Sequence, residues 1–394
     1  MSCSDSYLRL ADHMHLKVLE GPYVYDIKSD ELYELSREAL DFLSRCDGSK
    51  TTAELRPEMD FLELCLDEGV LRQLQKPQMR EIACALNESP SLRYLMLEVT
   101  DRCNLRCRHC YLGEAGHRDL EWETVQRILD DCDEIGLLRL IITGGEPFLY
   151  PHFEQLNSSL AGRSFRSIIT SNGTAMDGQQ LEILNVQEIQ FSIDGLAPGH
   201  NLLRGEGNFE KTMTSVGRAL QAGFDVSVAT IIHSGNYDQL EALGELLSKI
   251  GVSSWTLEFP VPSGRMADHI DLMPDPVIAA PYFELEWGWG AHESLEGYAC
   301  GAHLACIDTS GRFVKCGYYR RITGGNSARG LRQNWIALPK MRLEGVCSDC
   351  ELLAECGGGC RYRAESLCGP GAGDPVMCAR LGKRPSFKEK SPSA

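Results

Sequence analysis

The sequence predicts an α/β protein. A partial (β/α)6 barrel over residues 90–260 follows a winged-helix-like unit at 1–80, and a cysteine-rich domain at 300–380 comes after it. Three observations predict this. Apolar strand-like runs alternate with amphipathic helical patterns from residue 93 to 260, the pattern of a parallel sheet covered by helices. A different mixture precedes it, one alternating run and two or three short helical patterns. Nine of the 17 cysteines fall between 300 and 378 and none between 133 and 299, so the last segment is organised around sulfur.

In the first unit, Tyr23 to Ile27 alternates as a strand does. A helix is expected next, opened by Ser29 or Asp30, with Leu32, Leu35, Ala39, Phe42 and Leu43 on one face. Asp47-Gly48 signals a turn. A second helix carries Phe61, Leu62, Leu64, Cys65 and Leu66 and stops at Gly69.

In the barrel, strands are expected at 94–100, 139–143, 167–171, 188–194, 225–232 and 255–259. Helices are expected at 122–135, 179–184, 209–222 and 239–250. Six such units make part of a barrel, with functional loops after the carboxyl ends of the strands. Residues 261–299 read as a linker rich in proline, with the aromatic run WGWG at 287–290, and residues 381–394 as a disordered polar tail.

The formal net charge of -17 argues against nucleic acid or an anionic membrane as a partner. The start, MSCSDSYLRLADH, lacks the basic and apolar regions of a secretory signal, and no run of about 20 apolar residues is present. Both point to the cytoplasm, where disulfides are rare. The scattered Cys3, Cys46, Cys65, Cys84 and Cys132 then read as small buried hydrophobes, and the clustered cysteines as metal ligands.

Cys103, Cys107 and Cys110 stand in CNLRCRHC, directly after the first barrel strand. Three thiolates on one loop can hold three corners of a cube-shaped [4Fe–4S] cluster, leaving one iron open to a small molecule. Zinc is the alternative, although a three-thiolate zinc site wants a fourth protein ligand close by. The second strand ends in Gly144-Gly145-Glu146-Pro147. Two glycines let backbone approach a ligand closely, and the carboxylate at the mouth of the sheet can bind an ammonium group. By itself this motif is a commonplace turn. One strand after the cysteine triplet, it points to chemistry.

CNLRCRHC, then ITGGEP, TSNG at 170–173 and SIDG at 192–195, together resemble the radical S-adenosylmethionine (SAM) enzymes. The resemblance implies a [4Fe–4S] cluster on Cys103, Cys107 and Cys110 whose open iron chelates SAM. It implies reductive cleavage of SAM to a 5′-deoxyadenosyl radical, and a reducing partner such as a flavodoxin or ferredoxin. Glu146 matches the position that binds the SAM amino group. Ser171, Ser192 and Arg204 are candidates for the ribose and carboxylate, or else turn and surface residues. His109 fills the position where the family usually has an aromatic side chain.

The C-terminal cysteines run Cys300-x5-Cys306-x9-Cys316, with Gly311 between, then Cys347-x2-Cys350-x5-Cys356-x3-Cys360 and Cys378. This resembles the SPASM-type extension, which implies two auxiliary [4Fe–4S] clusters and three in all. Cys300, Cys306, Cys316 and Cys360 would hold one, and Cys347, Cys350, Cys356 and Cys378 the other, leaving Cys368 unligated. Zinc knuckles are again the alternative. The sulfatase-maturing branch carries an aspartate after the third of these cysteines. Here Gly317 stands there, followed by Tyr318 and Tyr319, which puts sulfatase oxidation in doubt.

The first unit resembles the peptide-recognition elements of ribosomal-peptide maturases, which pair an extended leader peptide with a sheet edge. A helical cap on the barrel is the alternative. The expected function is radical modification of a peptide or protein side chain, by oxidation or crosslinking. A small-molecule or porphyrin precursor is the second reading, and a polyferredoxin-like electron carrier the non-enzymatic one.

Overall fold

The computed structural model describes residues 6–383 except 88, 177, 289–294 and 296. Cys3, the expected tail at 384–394 and residues 289–290 of the aromatic run lie outside the described residues. The chain divides into two compact units.

The first unit comprises Met1–Arg93 with Leu129–Arg139 and Gly162–Arg166. Its strands are β1 (Tyr7–Leu10), β2 (Met14–Val18), β3 (Pro22–Asp26), β4 (Glu31–Glu34), β5 (Asp47–Thr51), β6 (Leu71–Leu74) and β7 (Ala85–Leu86). Its helices are α1 (Arg37–Ser44), α2 (Thr52–Leu55) and α3 (Met59–Asp67). One sheet runs β5-β1-β6, antiparallel throughout, and the other β4-β3-β2-β7. Leu8, Leu10, Leu16, Phe42, Leu43 and Leu62 form one buried cluster. Each such side chain contributes about 1.5–3 kcal/mol of burial energy.

Three expectations change here. The first helix does not open at Ser29 or Asp30; residues 31–34 are strand β4, hairpinned onto β3 with Tyr25 opposite Leu32. The reversal is set at Asp30, whose φ is +64° and whose carboxylate accepts from Tyr25 Oη at 2.5 Å and Arg139 Nε at 2.7 Å. The helix starts nearly two turns later, where Ser36 Oγ accepts from the Ala39 N–H. Gly48 is not a turn but a bulge inside β5, where two steps of β1 face four of β5. A Cβ there would lie 2.1 Å from the Gln78 carbonyl oxygen. Cys84, expected to be buried, is exposed, because residues 77–84 form no regular element and bring no core with them.

Lys17 is buried in this unit and donates to the Leu137 carbonyl at 2.9 Å. Burial pulls its pKa down to about 8 against the attraction of Asp133.

The second unit holds most of the parallel sheet. Its strands are β8 (Tyr94–Thr100), β9 (Arg139–Gly144), β10 (Arg166–Ser171), β11 (Glu188–Ser192), β12 (Asp225–Ile231) and β13 (Ser254–Glu258). The helices are α4 (Trp122–Ile135), α5 (Phe153–Leu160), α6 (Gly178–Glu182), α7 (Ala197–Arg204), α8 (Asn208–Gln221) and α9 (Leu240–Ile250). Strand β8 is buried at nearly every position, as a strand covered on both faces must be. The six strands stand within two residues of the expected bounds. Helices α5 and α7 were not expected, since eight residues each give too short an apolar repeat.

The sheet order is β13-β12-β11-β10-β9-β8-β14-β15-β16, an open, barrel-like sheet with edges at β13 and β16. Strand β14 (Leu304–Ile307) pairs in parallel with β8, placing Cys306 opposite Met96. Strands β15 (Arg312–Val314) and β16 (Thr323–Asn326) follow antiparallel. Short helices complete the unit: α10 (Pro276–Ala279), α11 (Leu331–Ala337), α12 (Leu353–Cys356), α13 (Arg361–Cys368) and α14 (Pro375–Arg380). Among the described residues no helix is long and apolar enough to cross a membrane.

Candidate functional site

Every motif singled out in the barrel lies just past the carboxyl end of a strand. The cysteine loop follows β8, Gly144–Pro147 closes β9, Ser171 closes β10 and Ser192, half-buried, closes β11.

The loop of Cys103, Cys107 and Cys110 is held by main-chain contacts. Arg108 N donates to the Leu203 carbonyl at 2.9 Å, Arg265 Nε to the Cys107 carbonyl at 2.8 Å, and Arg265 N to the Cys110 carbonyl at 3.0 Å. Residues 264–268, within the expected linker, thus brace the loop as a helical turn. Burial pushes the Cys103 thiol up to about 11, with Cys107, Glu146 and Cys110 adding to the shift. Burial also raises Cys107, and Arg204 opposes it. The three thiols therefore share one field, next to the cations that a thiolate cluster would balance. Three thiolates on one loop, with no fourth cysteine in it, have the chemistry of a cluster that takes one thiolate per iron and leaves one iron without a protein ligand.

His109 is half-buried, and desolvation followed by the Arg204 charge pulls its pKa down to about 3. Its neutral ring receives Arg204 Nη2 at Nε2, 3.2 Å away. That assigns the proton to Nδ1, which has no partner among the described residues, a vacant donor beside the cysteine loop.

The two glycines of the second motif serve a different purpose from the one expected. A Cβ on Gly144 would lie 2.2 Å from the Thr100 carbonyl oxygen, and one on Gly145 2.2 Å from that of Arg102. The close approach is to the root of the cysteine loop, sealed by Gly145 N to Thr100 O (2.7 Å) and Glu146 N to Arg102 O (2.8 Å). Pro147 then opens a single 3-10 turn.

Glu146 is fully buried. Its carboxylate accepts from Ser171 Oγ and from the Asn172 N–H, each at 2.9 Å. Burial raises its pKa to about 7 despite these bonds. Arg204 lowers the pKa only in part, no ion pair to Glu146 is present among the described residues, and an ammonium group would supply one. Ser171 thus orients Glu146. Asn172 donates to Asn104 Oδ1 at 3.0 Å, joining this loop to the cysteine loop.

Arg204 is half-buried and committed to Asp194, Nε to Oδ2 at 2.5 Å. Burial opposes ionisation of Asp194, but Arg204 first, then His109 and His200, hold it well below the usual carboxylate range. Asp194 also accepts from Ile231 N at 2.8 Å, so the pair is anchored on two strands.

The C-terminal cysteines fall into two neighbourhoods. Cys300 is hydrogen-bonded to Cys360 and feels Cys316; Cys306 also feels Cys316, and Cys316 feels Cys360. Cys356 and Cys378 each feel Cys347 and Cys350, and Cys378 feels Cys356 too. Burial raises the Cys368 thiol, and the charge it feels is that of Asp374. Gly317 faces Tyr111, whose ring a Cβ would meet at 3.2 Å. Tyr318 stacks on Tyr362, centroids 5.4 Å apart, and meets Tyr111 in a tilted contact at 5.2 Å.

Sequence reasoning missed Asn104, Asn172, Asp194 and Glu258. Asn172 and Asp194 lie inside the recognised TSNG and SIDG motifs, so their motif membership was the available signal. Glu258 ends β13 with nothing local to mark it. It keeps solvent-accessible surface, yet burial is the main cause raising its pKa, with Asp194 adding and Arg363 and Arg204 opposing.

The profile of the radical SAM superfamily matches residues 97–247. The chain is similar to an AdoMet-dependent heme synthase of Nitratidesulfovibrio vulgaris, 24% identical over 351 residues, covering 75% of this chain and 94% of that protein. It is also similar to the antilisterial bacteriocin subtilosin biosynthesis protein AlbA of Bacillus subtilis. That match is 24% identical over 298 residues, 68% of this chain and 66% of that one. Streptococcus suis SuiB, in its crystal structure with precursor peptide SuiA, shares the fold. The TM-score is 0.67 at 16% identity, over 94% of this chain and 99% of that chain. The triplet, the buried carboxylate and the barrel-like sheet thus belong together: residues 97–247 form a radical SAM domain, and the chain is a radical SAM enzyme.

Proposed function

We propose that the chain modifies a side chain of a peptide or protein, and that it holds three [4Fe–4S] clusters. Cys103, Cys107 and Cys110 hold the first, Cys300, Cys306, Cys316 and Cys360 the second, and Cys347, Cys350, Cys356 and Cys378 the third. When bound, the first cluster with SAM supplies a 5′-deoxyadenosyl radical that abstracts hydrogen from the substrate. Glu146 takes the SAM ammonium group, held in place by Ser171 and the Asn172 N–H. Arg204, pinned by Asp194, presents its remaining N–H groups beside the cysteine loop. Glu258 and Tyr318 face the substrate side.

The observation that carries the peptide reading is the free edge of β4. Among the described strands β4 pairs with β3 only. Leu35 N donates to the Pro22 carbonyl at 2.9 Å, so by the two-residue alternation of a strand the Leu32 and Glu34 N–H groups point away from β3. An extended peptide can add there. Proline at Glu34 removes one outward donor and leaves the β3 pairing intact. The test uses a synthetic peptide translated from a short reading frame flanking this gene and selected for binding to the wild type. E34P should weaken its binding at least tenfold and leave SAM cleavage unchanged; unchanged binding refutes the edge as the docking site. The second reading, a porphyrin precursor, is favoured by the likeness to heme synthases. Mass spectrometry of an iron-porphyrin substrate after turnover separates the two.

A further inference from the structure

We propose that Arg361, hydrogen-bonded to a sulfur of each C-terminal cysteine quartet, sets the reduction potential of the one formed by Cys347, Cys350, Cys356 and Cys378. The proposal rests on the three-cluster reading above.

Arg361 directly follows Cys360 and opens α13. Its backbone N–H donates to Cys300 Sγ at 3.3 Å, a sulfur of the first quartet. Its Nη1 donates to Cys347 Sγ at 3.3 Å, a sulfur of the second. One residue therefore reaches both. The guanidinium is held by Nη1 to the Gly358 carbonyl at 3.1 Å and by Nη2 to the Ala372 carbonyl. These carbonyls fix its plane without neutralising it, and Glu365, the carboxylate that feels its charge, is bonded to Tyr319 and Arg321 instead. Arg361 is buried, at 8% exposure. Among the described residues no carboxylate lies within ion-pair distance of it.

Arg363, two residues on, shows the contrast. It is neutralised by Asp374 through two bonds, Nε to Oδ1 at 2.8 Å and Nη2 to Oδ2 at 2.5 Å. A buried cation without such a partner is unfavourable. A neutral thiol at Cys347 does little to relieve it, whereas a metal-bound thiolate does. The geometry is that of a site built around a negative cluster.

Reduction adds one electron, and so one negative charge, to such a centre. An N–H bond to sulfur and a fixed positive charge favour the reduced form and raise the potential. The guanidinium acts on the second quartet, while the backbone N–H on Cys300 survives any side-chain replacement. The two effects are therefore separable by mutation.

The experiment is EPR-monitored redox titration of anaerobically reconstituted wild type, Arg361→Gln and Arg361→Lys, with iron counted in each. The expected result is a drop of about tenfold in the reduced-to-oxidised ratio of one auxiliary centre in R361Q. That corresponds to about 59 mV for a one-electron couple, with the other two centres unmoved. R361K keeps the charge but not the planar fork, and should recover part of the shift. If R361Q loses iron, R361K carries the measurement, with a smaller drop confined to the same centre. All potentials unchanged at about twelve irons overturns the role of Arg361 and leaves the three-cluster reading standing. About four irons in the wild type overturns that reading itself.

Discussion

Glu146→Gln removes one negative charge and keeps the shape of the side chain. In the wild type, Ser171 Oγ and the Asn172 N–H both donate to the carboxylate at 2.9 Å, and Phe148 N–H approaches at 3.4 Å. A glutamine has one acceptor oxygen, so at least one donor faces an NH2 group instead. The larger loss is the ammonium partner. Removing one member of a buried ion pair costs about 3–5 kcal/mol, which is roughly a hundredfold to several thousandfold in SAM affinity.

The pH dependence has a definite sign. The Glu146 pKa is raised from 4.5 to about 7, so the folded chain without SAM prefers the neutral acid. Its contribution to stability is present in full below pH 4.5 and is lost as pH rises through about 7. The shift is worth about 3 kcal/mol at about 1.36 kcal/mol per unit. SAM binding requires the carboxylate, so wild-type affinity should fall about tenfold per unit as pH drops below 7, while E146Q stays flat. Isothermal titration of SAM into reconstituted wild type and E146Q between pH 5.5 and 8 measures both effects. Binding by E146Q within threefold of wild type, or equal pH slopes, would refute the assignment.

Two further outcomes follow from packing. Gly145→Ala places a Cβ 2.2 Å from the Arg102 carbonyl oxygen and displaces the root of the cysteine loop. About four irons should be lost on reconstitution, with SAM cleavage below about a tenth of wild type; Gly217→Ala, with no atom within 4 Å of its new Cβ, is the control and should keep both. The Lys17 pKa is lowered to about 8, so between pH 8 and 10.5 the unfolded chain binds the extra proton and stability rises with pH. Lys17→Met should abolish that rise, about 3 kcal/mol over the interval, in urea unfolding; an unchanged slope would show that Lys17 is not the group responsible.

The barrel was legible because its strands are continuous apolar runs flanked by helices of regular period, and both signals are local. Strand β8 and helix α4 have the bounds their patterns predict. The first unit was harder to read. Leu32 and Leu35 suit a helix or a strand, and only the long-range contact between Asp30 and Arg139 decides for the hairpin. The cysteine triplet was visible because close spacing forces its members together, and Glu146 because it stands in the motif Gly144-Gly145-Glu146-Pro147. Glu258 and Arg361 were not, since their partners stand far away in the chain.

The sequence by itself determined that three thiols gather, because a loop of eight residues cannot separate Cys103 from Cys110. Only the tertiary structure decided what surrounds them. It pressed Gly144 and Gly145 against the Thr100 and Arg102 carbonyls, tied Arg204 to Asp194, and aimed Arg361 at Cys300 and Cys347. Those contacts depend on burial and on strand order, and neither is a property of residues adjacent in the chain.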